Sequence, residues 1–128
     1  MAMLMVIIGI TSWTGIARFT RAEFLKIREL EYLHGIAHIT GGGIAGNTLR
    51  LLRDDLDLRM DWGAWEAPPI FQLMQEKGHI QDSEMRSVFN MGVGLVLVGD
   101  VSGVDQILDK CKSGGEKAFV IGSIINKS

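Results

Sequence analysis

The feature that most restricts the fold is the run Val93-Gly-Leu-Val-Leu-Val98, apolar throughout and closed by Gly99-Asp100. It is too short for a helix of average length and it has no polar face, so it belongs centrally in a sheet. The neighbouring segments supply the rest of that sheet and its cover. His34-Gly-Ile-Ala-His-Ile-Thr40 is an alternating apolar stretch that runs into Gly41-Gly42-Gly43, a strand entering a glycine turn. Asp55-Leu-Asp-Leu-Arg-Met-Asp61 alternates with period two, as a strand with one wet face does, and Ala118 to Ile125 supplies a last strand. Helical spacing occupies the gaps. Leu49, Leu51 and Leu52 give about two turns within residues 47–54. Ile70, Phe71, Leu73 and Met74 form a stripe after Pro68-Pro69, where a first helical turn tolerates proline, and Gly78 stops it. Asp82 is placed to cap a short helix to Phe89 with Met85, Val88 and Phe89 inward, and Val101 to Cys111 aligns Val104, Ile107 and Leu108. The expectation is an α+β domain over residues 34–128, with an about four-stranded mixed sheet, three or four helices and no internal repeat.

Residues 1–33 read differently. Ala2 to Ile10 is an uncharged apolar run, and Arg18 to Leu33 carries apolar residues at helical period among interleaved Arg, Lys and Glu, so the segment is expected to be an apolar and amphipathic helical leader. The apolar part falls short of the about 20 residues that span a bilayer and lacks the flanks of a secretory signal. Membrane association through residues 1–33 is therefore not favoured, and a non-enzymatic membrane-associated fragment is the competing class. Composition narrows the chemistry further. With 13 basic against 15 acidic side chains and a net charge of -2, the chain of 128 residues lacks the broad cationic surface that nucleic acid requires. The single Cys111 excludes an intrachain disulfide and fits a reducing, cytoplasmic setting. His34 and His38 lie about 13 Å apart along a strand, too far to share a metal. The acidic residues from Asp54 to Asp61 alternate with Leu56, Leu58 and Met60 as the wet edge of a strand, so no metal site is expected.

Gly41, Gly43 and Gly46 satisfy G-x-G-x-x-G between a predicted strand and a predicted helix, with Asp61 following at the distance where a ribose-binding acid would stand. That pattern serves a dinucleotide by letting backbone N–H groups approach a pyrophosphate. Only two helical turns precede the next strand, however, whereas a Rossmann crossover needs a full helix. A glycine triplet is costly in backbone entropy, which favours a functional turn over a merely structural one.

Four blocks then occur in order: His38-Ile-Thr-Gly-Gly-Gly-Ile-Ala-Gly-Asn47, Trp65-Glu-Ala-Pro-Pro-Ile-Phe71, Phe89-Asn-Met-Gly-Val-Gly94 and Gly115-Glu-Lys-Ala-Phe-Val-Ile-Gly122. Over about residues 34–125 this resembles the C-terminal domain of the phosphoribosylformylglycinamidine cyclo-ligase (aminoimidazole ribonucleotide synthetase) family. The resemblance implies a purine-pathway ligase that uses ATP to close the imidazole ring of formylglycinamidine ribonucleotide, giving aminoimidazole ribonucleotide, ADP and phosphate. ATP with magnesium is then expected in the family's N-terminal domain, which has no counterpart here, and no cofactor is expected on this chain alone. The expected partner is the phosphorylated ribonucleotide, held by Thr40, Gly41, Gly42, Gly43, Asn47 and Arg50, with His38 polarising or protonating the displaced oxygen. Each has a plainer reading: His38 as a hydrogen-bonded structural residue, Arg50 as a solvated surface charge. Glu66 before Pro68-Pro69 reads as a helix-end charge, and Asn90 with Gly92 and Gly94 as a place of close backbone approach. The family usually carries an acidic residue before Asn47 and a proline two after it, where this chain has Gly46 and Leu49. Thr11 to Arg18 and Arg21 to Tyr32 separately resemble a fragment of peptide-type ABC transporter permeases, without the remaining membrane helices. If that leader replaces a covering element, an open sheet face would favour self-association.

Overall fold

The computed structural model describes residues 28–128 and, as backbone, residues 5–10. The elements run β1 (Met5–Ile10), β2 (Leu33–His38), α1 (Gly43–Leu49), β3 (Leu56–Met60), α2 (Pro69–Gly78), α3 (Asp82–Val88), β4 (Leu95–Asp100), a 3-10 turn (Val101–Gly103), α4 (Val104–Ser113) and β5 (Ala118–Asn126). The α+β class holds, but the sheet has five strands in the order β2-β4-β1-β5-β3, and each neighbouring pair is antiparallel rather than mixed. The fifth strand is β1. Met5–Ile10, expected as part of a helical leader, instead lies between β4 and β5 and hydrogen-bonds to both. The amphipathic segment expected over 18–33 falls mostly outside the described residues.

β4 behaves as its composition demands. Leu95 to Gly99 are all buried, and the alternation of the strand sends its side chains into two separate cores. Val96 and Val98 join Ala37, Ile39, Ile44, Leu56, Val93, Ile121 and Ile124 on one face, while Leu95 and Leu97 meet Ile107 and Cys111 of α4 on the other. Ile44, Ile107 and Ile121 have no accessible surface, and burying a side chain of that size stabilises the fold by about 1.5–3 kcal/mol. Ile121 and Ile124 are an odd number of residues apart, which strict alternation would send to opposite faces. The register shift where β5 passes Ile7/Ile8 of β1 inserts one residue and brings both into the same core.

The helix boundaries follow from local chemistry. α4 presents Ile107 and Cys111 one turn apart, with Asp105 in its first turn and Lys110 and Lys112 in its last, both favourable to the helix dipole. α2 starts at Pro68-Pro69 as the sequence implies, but its left-handed terminal residue is His79 (φ 52), one beyond Gly78. α1 begins at Gly43, four residues before the helix read from the sequence, and stops at Leu49. Gln81 rather than Asp82 holds the N-cap position of α3, without a side-chain capping bond, and the Asp82 carboxylate instead accepts from Gln75 on α2; Met85 is buried, but Val88 is 46% exposed. No helix among the described residues is long and apolar enough to cross a membrane.

Candidate functional site

The glycine loop is fixed from below by two residues, Ile39 through its backbone and Asn47 through its side chain. Ile39, buried at the end of β2, donates its N–H to Gly94 O at 2.9 Å and so ties the loop to β4's approach. Thr40, Gly41 and Gly42 emerge into solvent, and Gly43 turns back under the surface. Gly43 has φ 72, and a Cβ there would stand 2.3 Å from Arg86 O, so the start of α1 seats against the end of α3 only because that position is glycine.

Asn47, one turn into α1 and 7% exposed, folds back beneath the loop. Its Nδ2 donates to Gly43 O at 2.7 Å, to Thr40 O at 3.2 Å and to Gly41 O at 3.4 Å, and its Oδ1 accepts from the Thr40 hydroxyl at 3.4 Å. In a trans peptide the N–H points opposite to the carbonyl. Drawing the Thr40 and Gly41 carbonyls toward Asn47 therefore turns the N–H groups of Gly41 and Gly42 away from it, on a stretch exposed to solvent. Asn47 thus orients the loop, with its carboxamide engaged inside.

Beside the loop lies a cleft of about 780 Å³ lined by His38, Thr40 and Gly41 from the loop, Pro68, Ile70 and Phe71 from the start of α2, and Phe89, Asn90 and Gly92 beyond α3. A second cleft of about 720 Å³ shares Pro68 with it and is lined by Trp65, Glu66, Lys117 and Phe119. Residues from all four sequence blocks thus converge on two adjoining clefts. Aromatic contacts hold this region: Trp65 stacks on Phe119 with ring centroids 6.0 Å apart, Trp62 lies 5.6 Å from Trp65, and the Arg86 guanidinium sits 4.7 Å above the Trp62 ring.

Of the residues expected from the sequence, His38, Thr40 and Gly41 line the cleft and Gly42 is exposed next to them. Gly43 and Asn47 are buried supports. Arg50 caps the far end of α1, exposed and outside the lining of either cleft, about 10 Å along the helix from the loop. Trp65, unassigned from the sequence, bridges two loops through its indole N–H, 3.0 Å from Met91 O. The dinucleotide reading fails on geometry. It needs a parallel strand–helix–strand unit, whereas β2 pairs antiparallel with β4, α1 has 7 residues, and Asp61 spends Oδ1 on the Gly63 N–H at 3.1 Å. Cys111 is remote from the loop, in the other core beneath α4. Burial, and after it the charge of Glu116, pushes its thiol up to about 11, so it is no nucleophile at neutral pH.

The model of the family described as AIR synthase related protein, C-terminal domain, matches residues 17–128. A phosphoribosylformylglycinamidine cyclo-ligase of Thermoanaerobacter sp. (strain X514) is 46% identical over 99 residues, 77% of this chain and 29% of the relative. The chloroplastic phosphoribosylformylglycinamidine cyclo-ligase of Arabidopsis thaliana is 42% identical over 104 residues, 81% of this chain and 27% of the relative. The chain thus spans under a third of the length of these curated relatives. Among solved structures, E. coli HypE, a hydrogenase maturation protein, superposes with a TM-score of 0.68 over 100% of this chain and 45% of its own, at 12% identity, which is a likeness of fold. With the family model covering all but the first residues and the cleft built from the same blocks, the chain belongs to the AIR synthase related proteins, as their C-terminal domain.

Proposed function

We propose that this chain is the substrate-side part of a phosphoribosylformylglycinamidine cyclo-ligase, the cytoplasmic, ATP-dependent enzyme that closes the imidazole ring of formylglycinamidine ribonucleotide to give aminoimidazole ribonucleotide, ADP and phosphate. The observation that carries the reading is the orientation of the glycine loop: with Asn47 holding the Thr40 and Gly41 carbonyls, the Gly41 and Gly42 N–H groups are turned outward beside a cleft of about 780 Å³. Such backbone donors suit a phosphate because they are fixed before the ligand arrives and carry no side-chain entropy to lose. Thr40 lines the same edge, with its hydroxyl proton turned inward to Asn47 Oδ1. His38, exposed at the end of β2 and lining the cleft, is placed to polarise or protonate the oxygen that leaves as the ring closes. Gly43 and Asn47 serve the site by holding the loop. Arg50, at the far end of α1, has no part in this version of the site.

Among the described residues no three His, Cys, Asp or Glu side chains cluster as metal ligands, so no step is assigned here to ATP or to a metal. The resemblance puts that chemistry in the N-terminal domain of the family, and these 128 residues by themselves are expected to bind the phosphorylated ribose without turning it over. Residues 34–128 carry the cleft, with β1 completing the sheet on which it stands. The test is a titration of the ¹⁵N-labelled chain with ribose 5-phosphate. Saturable shifts of the Gly41 and Gly42 amides, absent with ribose, support the reading; amides that do not respond refute it.

A further inference from the structure

The cleft has a second polar segment. Asn90 to Val93 forms a tight turn closed by the Val93 N–H on Asn90 O at 2.9 Å, and Gly92 N–H donates to Asn90 Oδ1 at 2.9 Å. Both central residues have positive φ, Met91 at 51 and Gly92 at 92, which is the type I′ geometry. Glycine is the ordinary occupant of such a conformation, and a methionine there persists only where its surroundings impose it. The surroundings are visible. Trp65 donates its indole N–H to Met91 O at 3.0 Å, its ring is braced on Phe119 of β5, and Pro68 fills the space in which a Cβ on Gly92 would lie, with Cδ 2.4 Å from that point.

The purpose of a turn held so firmly is suggested by what it exposes. Asn90 and Gly92 line the same cleft as His38, Thr40 and Gly41. The Asn90 carboxamide oxygen is already taken by Gly92 N–H, so what this side chain has to offer a ligand is its NH₂ group, two further donors in a cleft whose other polar edge is also donor-rich. We propose that Asn90 is a further ligand-contacting residue, donating through Nδ2 to an oxygen of the bound sugar phosphate, and that Trp65 is its positioning residue, acting through the Met91 carbonyl. This deepens the substrate reading above and rests on it for the identity of the ligand.

The experiment uses the whole chain, ribose 5-phosphate as probe, and amide exchange as a readout that needs no ligand. Asn90→Asp keeps the oxygen that receives Gly92 N–H but replaces the donors by negative charge. Affinity should fall by more than about tenfold while the Gly92 and Val93 amides stay protected and the unfolding midpoint stays near that of the parent. Trp65→Phe keeps a ring on Phe119 and loses only the indole donor. It should speed exchange at Gly92 and Val93 and weaken binding by about tenfold, with a smaller effect in a chain that also carries Met91→Gly, because glycine adopts the turn without being held. A merely structural Trp65 would shift the unfolding midpoint and leave affinity alone. Binding that survives Asn90→Asp overturns the contact, and unchanged exchange and affinity in Trp65→Phe overturn the positioning role. A parent chain that does not respond to ribose 5-phosphate defeats the substrate reading and the contact together, while the exchange data still decide what Trp65 does.

Discussion

Replacing Asn47 by Asp tests the geometry of the glycine loop with a single atom. Three carbonyl oxygens, of Gly43, Thr40 and Gly41, lie 2.7, 3.2 and 3.4 Å from Nδ2 of a side chain that is 7% exposed. Only the shortest is a bond of full strength, worth about 1 kcal/mol net, and the two longer ones together add roughly as much again. Losing the donor to an apolar residue of similar size should therefore cost about 2 kcal/mol. Asn47→Asp goes further, because it turns an oxygen toward three oxygens and buries an unpaired charge, for which about 3–5 kcal/mol is the usual penalty. The next residue is the control. The Thr48 hydroxyl donates to Ile44 O at 2.7 Å, a carbonyl within the helix ladder, so Thr48→Val should stay within about 1 kcal/mol of the parent. Urea unfolding followed by tryptophan fluorescence measures both. The pH dependence supplies a second check. Burial and the facing carbonyls raise the folded-state pKa of the introduced carboxyl above the unfolded value of about 3.9, so the folded form holds its proton longer. The Asn47→Asp deficit should be small below about pH 4 and grow as pH rises through the folded pKa. A deficit under about 1 kcal/mol at neutral pH, or one that ignores pH, would show that the carboxamide does not hold the loop carbonyls, and the outward N–H groups would lose their explanation.

Three further outcomes follow from single positions. Gly43→Ala adds a Cβ 2.3 Å from Arg86 O at φ 72 and should destabilise by about 3 kcal/mol or more, whereas Gly41→Ala meets nothing within 4 Å and should change the urea midpoint little; equal effects would mean that α1 does not seat on α3 as described. His79 is exposed in the left-handed conformation at φ 52, so His79→Gly should stabilise by about 1 kcal/mol in thermal unfolding, and a loss of stability would show that the imidazole contributes a contact there. The Cys111 thiol, raised by burial and by Glu116 from 9.0 to about 11, contributes stability that is complete below about pH 9 and disappears as pH climbs toward 11. At pH 8 its reaction with an aromatic disulfide should be at least about a hundredfold slower in the folded than in the urea-unfolded chain, and matching rates would refute the burial.

What the sequence disclosed depended on whether the deciding partner was local. β4 was legible because a short run with no polar face has few places to go, and α2 because Pro68-Pro69 marks its first turn in the covalent chain itself. β1 was not. Met5–Ile10 is as apolar as β4, but it stands before a stretch of helical period, and a short apolar run cannot be assigned by periodicity alone. Its strand character is settled by β4 and β5, whose pairing residues lie 85 or more positions away in the chain. The direction of pairing has the same origin, since no residue of a strand states which way its neighbour runs. At α1 the local signal pointed the wrong way: Gly43 and Gly46 lower helix propensity, yet Ile44 has no accessible surface and Thr48 none, and the burial of that face outweighs the roughly 1 kcal/mol that each glycine costs.

The site divides along the same line. His38, Thr40 and Gly41 were readable because the strand and the glycine turn together force them to its open end, where they border the cleft. Asn47, expected among the ligand-binding residues, directs its Nδ2 to carbonyls of its own chain; a carboxamide has the same two donors for either partner, so the sequence does not show which it serves. Arg50 shows the complementary difficulty: a helix start at Asn47 would have put it one turn from the loop, and the true start at Gly43 leaves it at the opposite end. For Trp65 the partner is a carbonyl 26 residues away, presented by a turn whose left-handed Met91 no propensity would have predicted. That conformation is costly by itself and is held by contacts from the Trp65–Pro68 loop, so the edge of the cleft at Asn90 and Gly92 depends on residues outside the glycine motif.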